Sequence, residues 1–306
     1  MKKILLTIIT ALSVAIAFGQ NNSYIKSGSI GKAPQEKPAQ KEDKFLYGPV
    51  KYRELRETVG EKYLIIPIMK ELASGGYRSI SKGTIYNFDT KLSAAEGVGK
   101  VLILKSIDDK YAHFIDSLGN DYVSDLLNGY INKLVPVYDI EQARKLFLDK
   151  ILWLNQTEIY IFDEIKQSYS PIKNLRFEQV TVIDIVVSYN SSVPIRFILK
   201  NKKGEIGLMD VIVSGTNSSP EYLFKHRFAN IFFTKDPKLT YKYTPAMWAK
   251  IKAGVTEIGM TEDQVKLSRG FPDKINRSTG AGTADQWIYG ESYLYFRNGK
   301  LTSIQN

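Results

Sequence analysis

The stretch that most narrows what this chain can fold into is its last sixty residues, where helix-stop, helix-start and hairpin signals follow one another in order. Thr261 and Gln264 have capping-box spacing, so each can satisfy a backbone N–H of the other at the start of a helix. Met260 and Val265 stand at the positions of a hydrophobic staple, and Glu262 and Asp263 place negative charge where the helix dipole favours it. Gly270 and Pro272 stop that helix. A preceding helix is expected from Thr244 as N-cap and Pro245 at the first helical position, with Gly254 ending it. Beyond Pro272 the pattern turns to strand. Residues 286–289, 293–296 and 300–304 are aromatic and β-branched, and Asn298-Gly299 is the preferred pair for a two-residue hairpin turn. The glycine-rich run 278–284 is expected to be a loop.

Taken as one pattern, I-G-M-T-x-x-Q-V-x-x-x-x-G-x-P, then W-x-Y and Y-F-x-N-G-K-L, this segment resembles the SmpA/OmlA (BamE-like) family of bacterial envelope proteins. The resemblance implies two helices on a small antiparallel sheet, used as a protein-binding module and carrying no catalytic residues. Outer-membrane members are anchored through a lipidated cysteine, and this chain has none.

The other end reads as an export signal. Lys2 and Lys3 precede an apolar run over residues 4–16, and Ala17-Phe18-Gly19 supplies small residues before a cleavage expected at Gln20. That run is shorter than the roughly 20 residues of a spanning helix, and nothing else approaches the length, so the mature chain is expected to have no transmembrane span. Residues 20–44 are too poor in apolar groups to offset their ordering entropy and read as a tether. The expected location is periplasmic or secreted, not as a lipoprotein.

Between residues 45 and 243 a faint repeat appears. Three times a helix-like segment (49–59, 140–148, 220–228) leads into a compact apolar run (63–66, 151–154, 231–233). Helix starts are signalled by Pro49, by Asp139 with Gln142, and by Ser219-Pro220. The runs 101–104 and 180–183 then correspond, as do 114–122 and 197–206, with Asn201-Lys202-Lys203-Gly204 as a hairpin loop. This predicts two barrel-like β-rich modules, residues 45–150 and 151–243, each large enough for one small core. With residues 244–306 added, the expected class is α+β: two β modules followed by an ααβββ(β) domain.

Chemistry-bearing patterns are sparse among the 306 residues. Of the two histidines, His113 lies in a strand whose alternation keeps it apart from Asp116, and His226 sits in a basic helical stretch. Neither has metal-ligand spacing, and no G-x-S-x-G context accompanies them. The clusters Gly75-Gly76, Gly97-Val98-Gly99 and Gly280-Ala281-Gly282 lack the following Lys-Ser/Thr of a phosphate loop. Asp108, Asp109, Asp116, Asn120 and Asp121 miss the calcium-loop template and read as turn chemistry. No cofactor is implied. The net charge of +10 is spread along the chain, without the basic helix or ribonucleoprotein motif of a nucleic-acid binder.

The function expected from the sequence is therefore a non-enzymatic, exported protein-binding or scaffolding protein, with an envelope protein or cell-wall polymer as partner. Alternatives are a glycan- or cell-wall-binding protein and an uncharacterised hydrolase. The binding face is expected on the C-terminal sheet. The core should take Leu294 and Phe296, leaving Tyr293 and Tyr295 outside and, in the right register, Trp287 and Tyr289 beside them.

Overall fold

A computed structural model describes residues 48–219, 222, 225–278 and 284–306. The expected leader and tether, and most of the glycine-rich run 278–284, lie outside those residues.

Three antiparallel sheets carry the chain. The first has eight strands: β1 (Lys62–Ile65), β2 (Tyr77–Lys82), β3 (Lys91–Leu92), β4 (Val101–Ile107), β5 (Tyr111–Ile115), β6 (Asp121–Leu127), β7 (Tyr130–Ile131) and β8 (Leu134–Pro136). Its order is β3-β2-β6-β5-β4-β1-β8, with β7 paired to β6. The second holds β9 (Ile151–Leu154), β10 (Glu158–Asp163), β11 (Ser168–Lys173), β12 (Gln179–Val187), β13 (Ile195–Asn201), β14 (Ile206–Val211) and β15 (Phe232–Phe233). These run β11-β10-β14-β13-β12-β9-β15. The third is β16 (Lys274–Asn276), β17 (Asp285–Tyr289), β18 (Ser292–Arg297) and β19 (Lys300–Gln305), in that order.

The α+β expectation is corrected. Strand makes up 40% of the protein and helix 20%, and the sheets include a half-barrel, so the class is β-rich with few helices. The physical reason lies in the segments read as helical. Over 49–59 only the 3-10 turn Leu55–Thr58 forms, and over 220–228 the described part gives way to the single turn Phe228–Ile231. Among the described residues three helices exceed one turn: α1 (Val137–Phe147), α2 (Pro245–Lys252) and α3 (Glu262–Arg269). Helix α1 starts three residues earlier than Asp139 would have capped it, with Pro136 at the N-cap. Thr261 and Gln264 do form the reciprocal capping box of α3, with both bonds made (2.8 and 3.2 Å). Asn298 and Gly299 both have positive φ, as a type I′ turn requires.

Inward side chains follow strand alternation: Leu102 and Leu104 on β4, Ala112 and Phe114 on β5. Strand β12 shows why a hydrophobic run can stay in phase with its core. Its register against β13 slips between Val182 and Asp184, and the extra residue brings Ile185 inward beside Val180 and Val182. Helix α1 lies between the first two sheets, and Ala143 and Phe147 join Ile66 and Val135 to the second sheet's core. The third sheet has its own core of Met260, Val265, Trp287, Leu294, Phe296 and Leu301.

Candidate functional site

The four aromatic residues singled out from the sequence do not share a face. Trp287 stands opposite Leu294 across β17 and β18, and directly opposed residues point the same way. Trp287 is therefore fully buried, its ring 4.3 Å from that of Phe296. Tyr289 lies on the same inner side, donating from its hydroxyl to the Gly270 carbonyl (2.8 Å) under the Arg269 guanidinium. Burial pushes that hydroxyl's pKa up. Tyr293 and Tyr295 point outward opposite Ile288 and Gln286, and the Tyr295 hydroxyl is held between Gln286 and Gln305, 3.1 Å from each. The register that separates the pairs is set by the two-residue turn Gly290-Glu291, since a one-residue slip exchanges the faces of a strand. That turn was the readable signal for it.

A more extensive aromatic surface lies on the second sheet, on the side away from its core. Strand β10 places Ile159 inward and Tyr160 and Phe162 outward, and β13 does the same with Phe197 against Arg196 and Ile198. Across the strands Tyr160, Leu208 and Ile198 form one row, and Asp210, Arg196 and Val186 another. Tyr169 of β11 sits opposite Phe162, their rings 4.8 Å apart. Of these, Tyr160, Phe162, Val186, Arg196, Ile198 and Leu208, together with Pro67, Glu164 and Tyr189, line an open cleft of about 360 Å³. The signal missed in the sequence was apolarity at both phases of β10, β13 and β14, the mark of a sheet whose two faces both seek cover.

Arg196 organises this surface. Its guanidinium makes two bonds to Asp210, Nε to Oδ1 at 2.7 Å and Nη2 to Oδ2 at 3.0 Å, and donates to the Tyr169 hydroxyl at 2.9 Å. The Ser188 hydroxyl donates to Asp210 Oδ2 at 2.6 Å. Burial alone would lower the Arg196 pKa, but the bonds and charge of Asp210 outweigh it and hold the group above its ordinary value. The rings of Phe162, Tyr169 and Tyr189 have their centroids 5.6 to 5.9 Å from the guanidinium carbon. The charged and hydroxyl groups of Arg196, Asp210, Ser188 and Tyr169 thus engage one another, beside the apolar side chains of the cleft.

The first sheet has a cleft of opposite character, about 690 Å³, at the end where β2 finishes and β4 and β6 begin. Leu92 and Tyr122 are buried beneath it, and Lys82, Glu96, Lys100, Asn120 and Asp121 stand around it. Lys82 pairs with Glu96 at 2.5 Å, Lys100 with Asp116 at 3.4 Å and Lys105 with Asp121 at 2.9 Å. The Lys82 bond, with those of Ser93, lowers the Glu96 pKa to about 2. Asp116 is held well below the carboxylate range by the Asn120 side chain first, then by the amides of Asn120 and Leu118 and the Tyr122 hydroxyl. At Gly97, next to Glu96, the Tyr77 ring occupies the place where a Cβ would stand.

Neither histidine lines either cleft. His113 Nε2 meets Asp108 Oδ2 at 2.9 Å across the β4–β5 turn, and that bond, aided by the amides of Lys110 and Tyr111, lowers the Asp108 pKa to about 2. His226 packs on the Tyr222 ring, and burial lowers its pKa. Among the described residues no group of three His, Asp or Glu side chains is arranged to hold a metal ion, and no helix is long and apolar enough to cross a membrane. Comparison with protein-family models, with curated proteins and with solved structures finds no match to this chain.

Proposed function

We propose that this is a non-enzymatic binding protein of the cell envelope, and that the open aromatic face of its second sheet receives apolar side chains of a protein partner. The observation that carries the reading is the cleft-lining row Tyr160–Leu208–Ile198, in which Tyr160 and Ile198 stay partly exposed on either side of the buried Leu208, with Ile206 half exposed beside it. Aromatic-lined apolar clefts of this kind act as interface hot spots, because rigid rings give large contact area for little lost entropy. A sugar would need many hydrogen-bonding groups, and those of Arg196, Asp210, Ser188 and Tyr169 are already engaged with one another, as the Tyr160 hydroxyl is with Glu158. Partner side chains would also lie next to β11, an edge strand that Pro171 protects from adding a strand of its own. The resemblance of the C-terminal motif to envelope protein-binding modules points the same way, as does the export signal.

The test is site-specific photo-crosslinking in intact cells from position 206, with position 303 on the third sheet as control. The protein captured from position 206 should then bind the purified chain, and Phe162→Ala with Ile206→Lys should weaken that binding at least about tenfold, a loss of about 1.4 kcal/mol. Equal capture from both positions, or unchanged affinity in the variant, overturns the reading. The export arm is checked separately. The mature chain should begin at Gln20 and leave the envelope fraction in high salt, whereas an intact Met1 or recovery only with detergent contradicts it.

A further inference from the structure

We propose that the polar cleft of the first sheet is a binding site for a neutral saccharide, distinct from the aromatic face of the second. Charge decides the ligand class. The two lysines that line the cleft, Lys82 and Lys100, are each matched to a carboxylate, Glu96 and Asp116, and the cleft-lining Asp121 is matched to Lys105 behind it. A phosphate or other anion would have to displace a carboxylate from each lysine it used, and a metal cation would have to displace an ammonium. A hydroxyl group displaces neither. It donates to the carboxylate and accepts from the ammonium of the same pair, so a ring carrying neighbouring hydroxyls can bridge each pair while it stays closed.

The cleft is also built in advance for such a ligand. Glu96 is fixed by the capping box it forms with Ser93, and its carboxylate takes bonds from the Ser93 amide (3.2 Å) and hydroxyl (2.6 Å). Asn120 is fixed by Asp116, which it contacts through both its amide and its side chain. Gly83 N–H is bonded to the Asp121 carbonyl at 2.8 Å, tying the two rims together. Groups held this way lose little freedom on binding, which is where polar recognition of weakly binding sugars is won or lost. Leu92 and Tyr122 are buried beneath these groups, with the Lys100 ammonium over the Tyr122 ring at 5.3 Å. The volume, about 690 Å³, is within the usual range of small-ligand sites, roughly 300–1,000 Å³.

The experiment is saturation-transfer NMR and calorimetry on the full chain with four neutral tetrasaccharides (chitotetraose, cellotetraose, maltotetraose, mannotetraose), beside glycylglycine, inorganic phosphate and calcium chloride. One of the tetrasaccharides should bind saturably, with affinity changing less than about threefold between low and high salt, because no net charge is neutralised. Lys82→Met with Glu96→Gln should weaken it at least about tenfold without changing the melting temperature, since both side chains are about half exposed. A second variant, Ile206→Lys on the other sheet, should leave saccharide binding intact, which separates this inference from the protein-binding one. Binding of phosphate, glycylglycine or calcium in place of a saccharide overturns the proposal. So does saccharide binding that the Lys82/Glu96 variant does not alter, or no binding by any of the four.

Discussion

Asp139 is the residue where burial and charge conflict most sharply. It stands in the first turn of α1, wholly buried, with Oδ2 bonded to the Ser214 hydroxyl and Oδ1 without a partner. Burial raises its pKa to about 7, against the lowering effects of the Ser214 bond and the Arg53 charge, while the Glu61 carboxylate adds to the rise. Arg53 is itself tied to Glu61 and lies over the Tyr138 ring at 4.3 Å, so its charge is largely spent on another carboxylate. The sign follows from linkage. An acid whose folded pKa exceeds its unfolded value favours the fold below the unfolded pKa, and that contribution is lost as pH rises through about 7. Between pH 5 and pH 8 the protein should lose stability from this group, by as much as about 3 kcal/mol. Asp139→Asn should flatten the dependence and melt higher at pH 8. Thermal melts of the two proteins at pH 5, 6, 7 and 8 check this, and parallel curves would remove Asp139 as the cause. Asp116 acts in the opposite sense, since its lowered pKa supports the fold at neutral pH and fails only as acid protonates it. Position 139 also shows what a sequence conceals. Its spacing to Gln142 read as a helix cap, and nothing local announced that Ser214, 75 residues away, would be its partner.

At the scale of elements, the legible features were those that a few adjacent residues determine. The caps of α2 and α3 and the Asn298-Gly299 turn depend on short-range hydrogen bonds and backbone preference, and they stand where the sequence placed them. The short helical segments in the first two sheets were illegible, because four-residue turns owe their form to the strands around them more than to propensity. The face of Trp287 was lost for a third reason. It depends on register, and register depends on the Gly290-Glu291 turn rather than on the strands themselves. The consequence is measurable. Trp287→Ala should cost about 3–5 kcal/mol, as truncation of a buried aromatic does. Tyr293→Ala with Tyr295→Ala removes outward rings and should cost about 1 kcal/mol or less. Urea unfolding of the three proteins tests the assignment, and equal losses would mean that the outer tyrosines are covered too.

Across the whole molecule, the three sheets are joined by polar backbone recognition as well as by apolar packing. The segment after β14 runs buried between the first two sheets. Asn217 accepts from the Ile131 amide (2.7 Å) and donates to the carbonyls of Ile131 (3.0 Å) and Leu134 (2.7 Å), while Thr216 accepts from the Arg53 amide (3.2 Å). Lys133 reaches the Tyr189 carbonyl (3.2 Å) and Ser191 the Asn132 side chain (2.7 Å), which places the first sheet beside the rim of the aromatic cleft. The third sheet is joined differently. Arg176 donates to the Ser268 carbonyl, Phe177 meets the Trp248 ring edge-on with centroids 5.4 Å apart, and two ion pairs, Lys252–Glu178 and Lys225–Asp273, lie at 3.2 Å on the surface. Exposed ion pairs of that kind contribute about 0–1 kcal/mol each, so the Trp248–Phe177 contact and the Arg176 bond dominate the attachment. The third sheet's core, by contrast, is built wholly from residues 247–304. Residues 244–306 should therefore fold alone as a fragment of small stability, about 3–5 kcal/mol. In the full chain, Trp248→Ala should leave both parts folded and split one unfolding transition into two, the weaker belonging to the third sheet. Calorimetry of the fragment and of the variant decides it. A fragment that melts without cooperativity would mean that the third sheet needs the second as part of its core, and a variant that still melts in one step would mean that Trp248 is not what couples them.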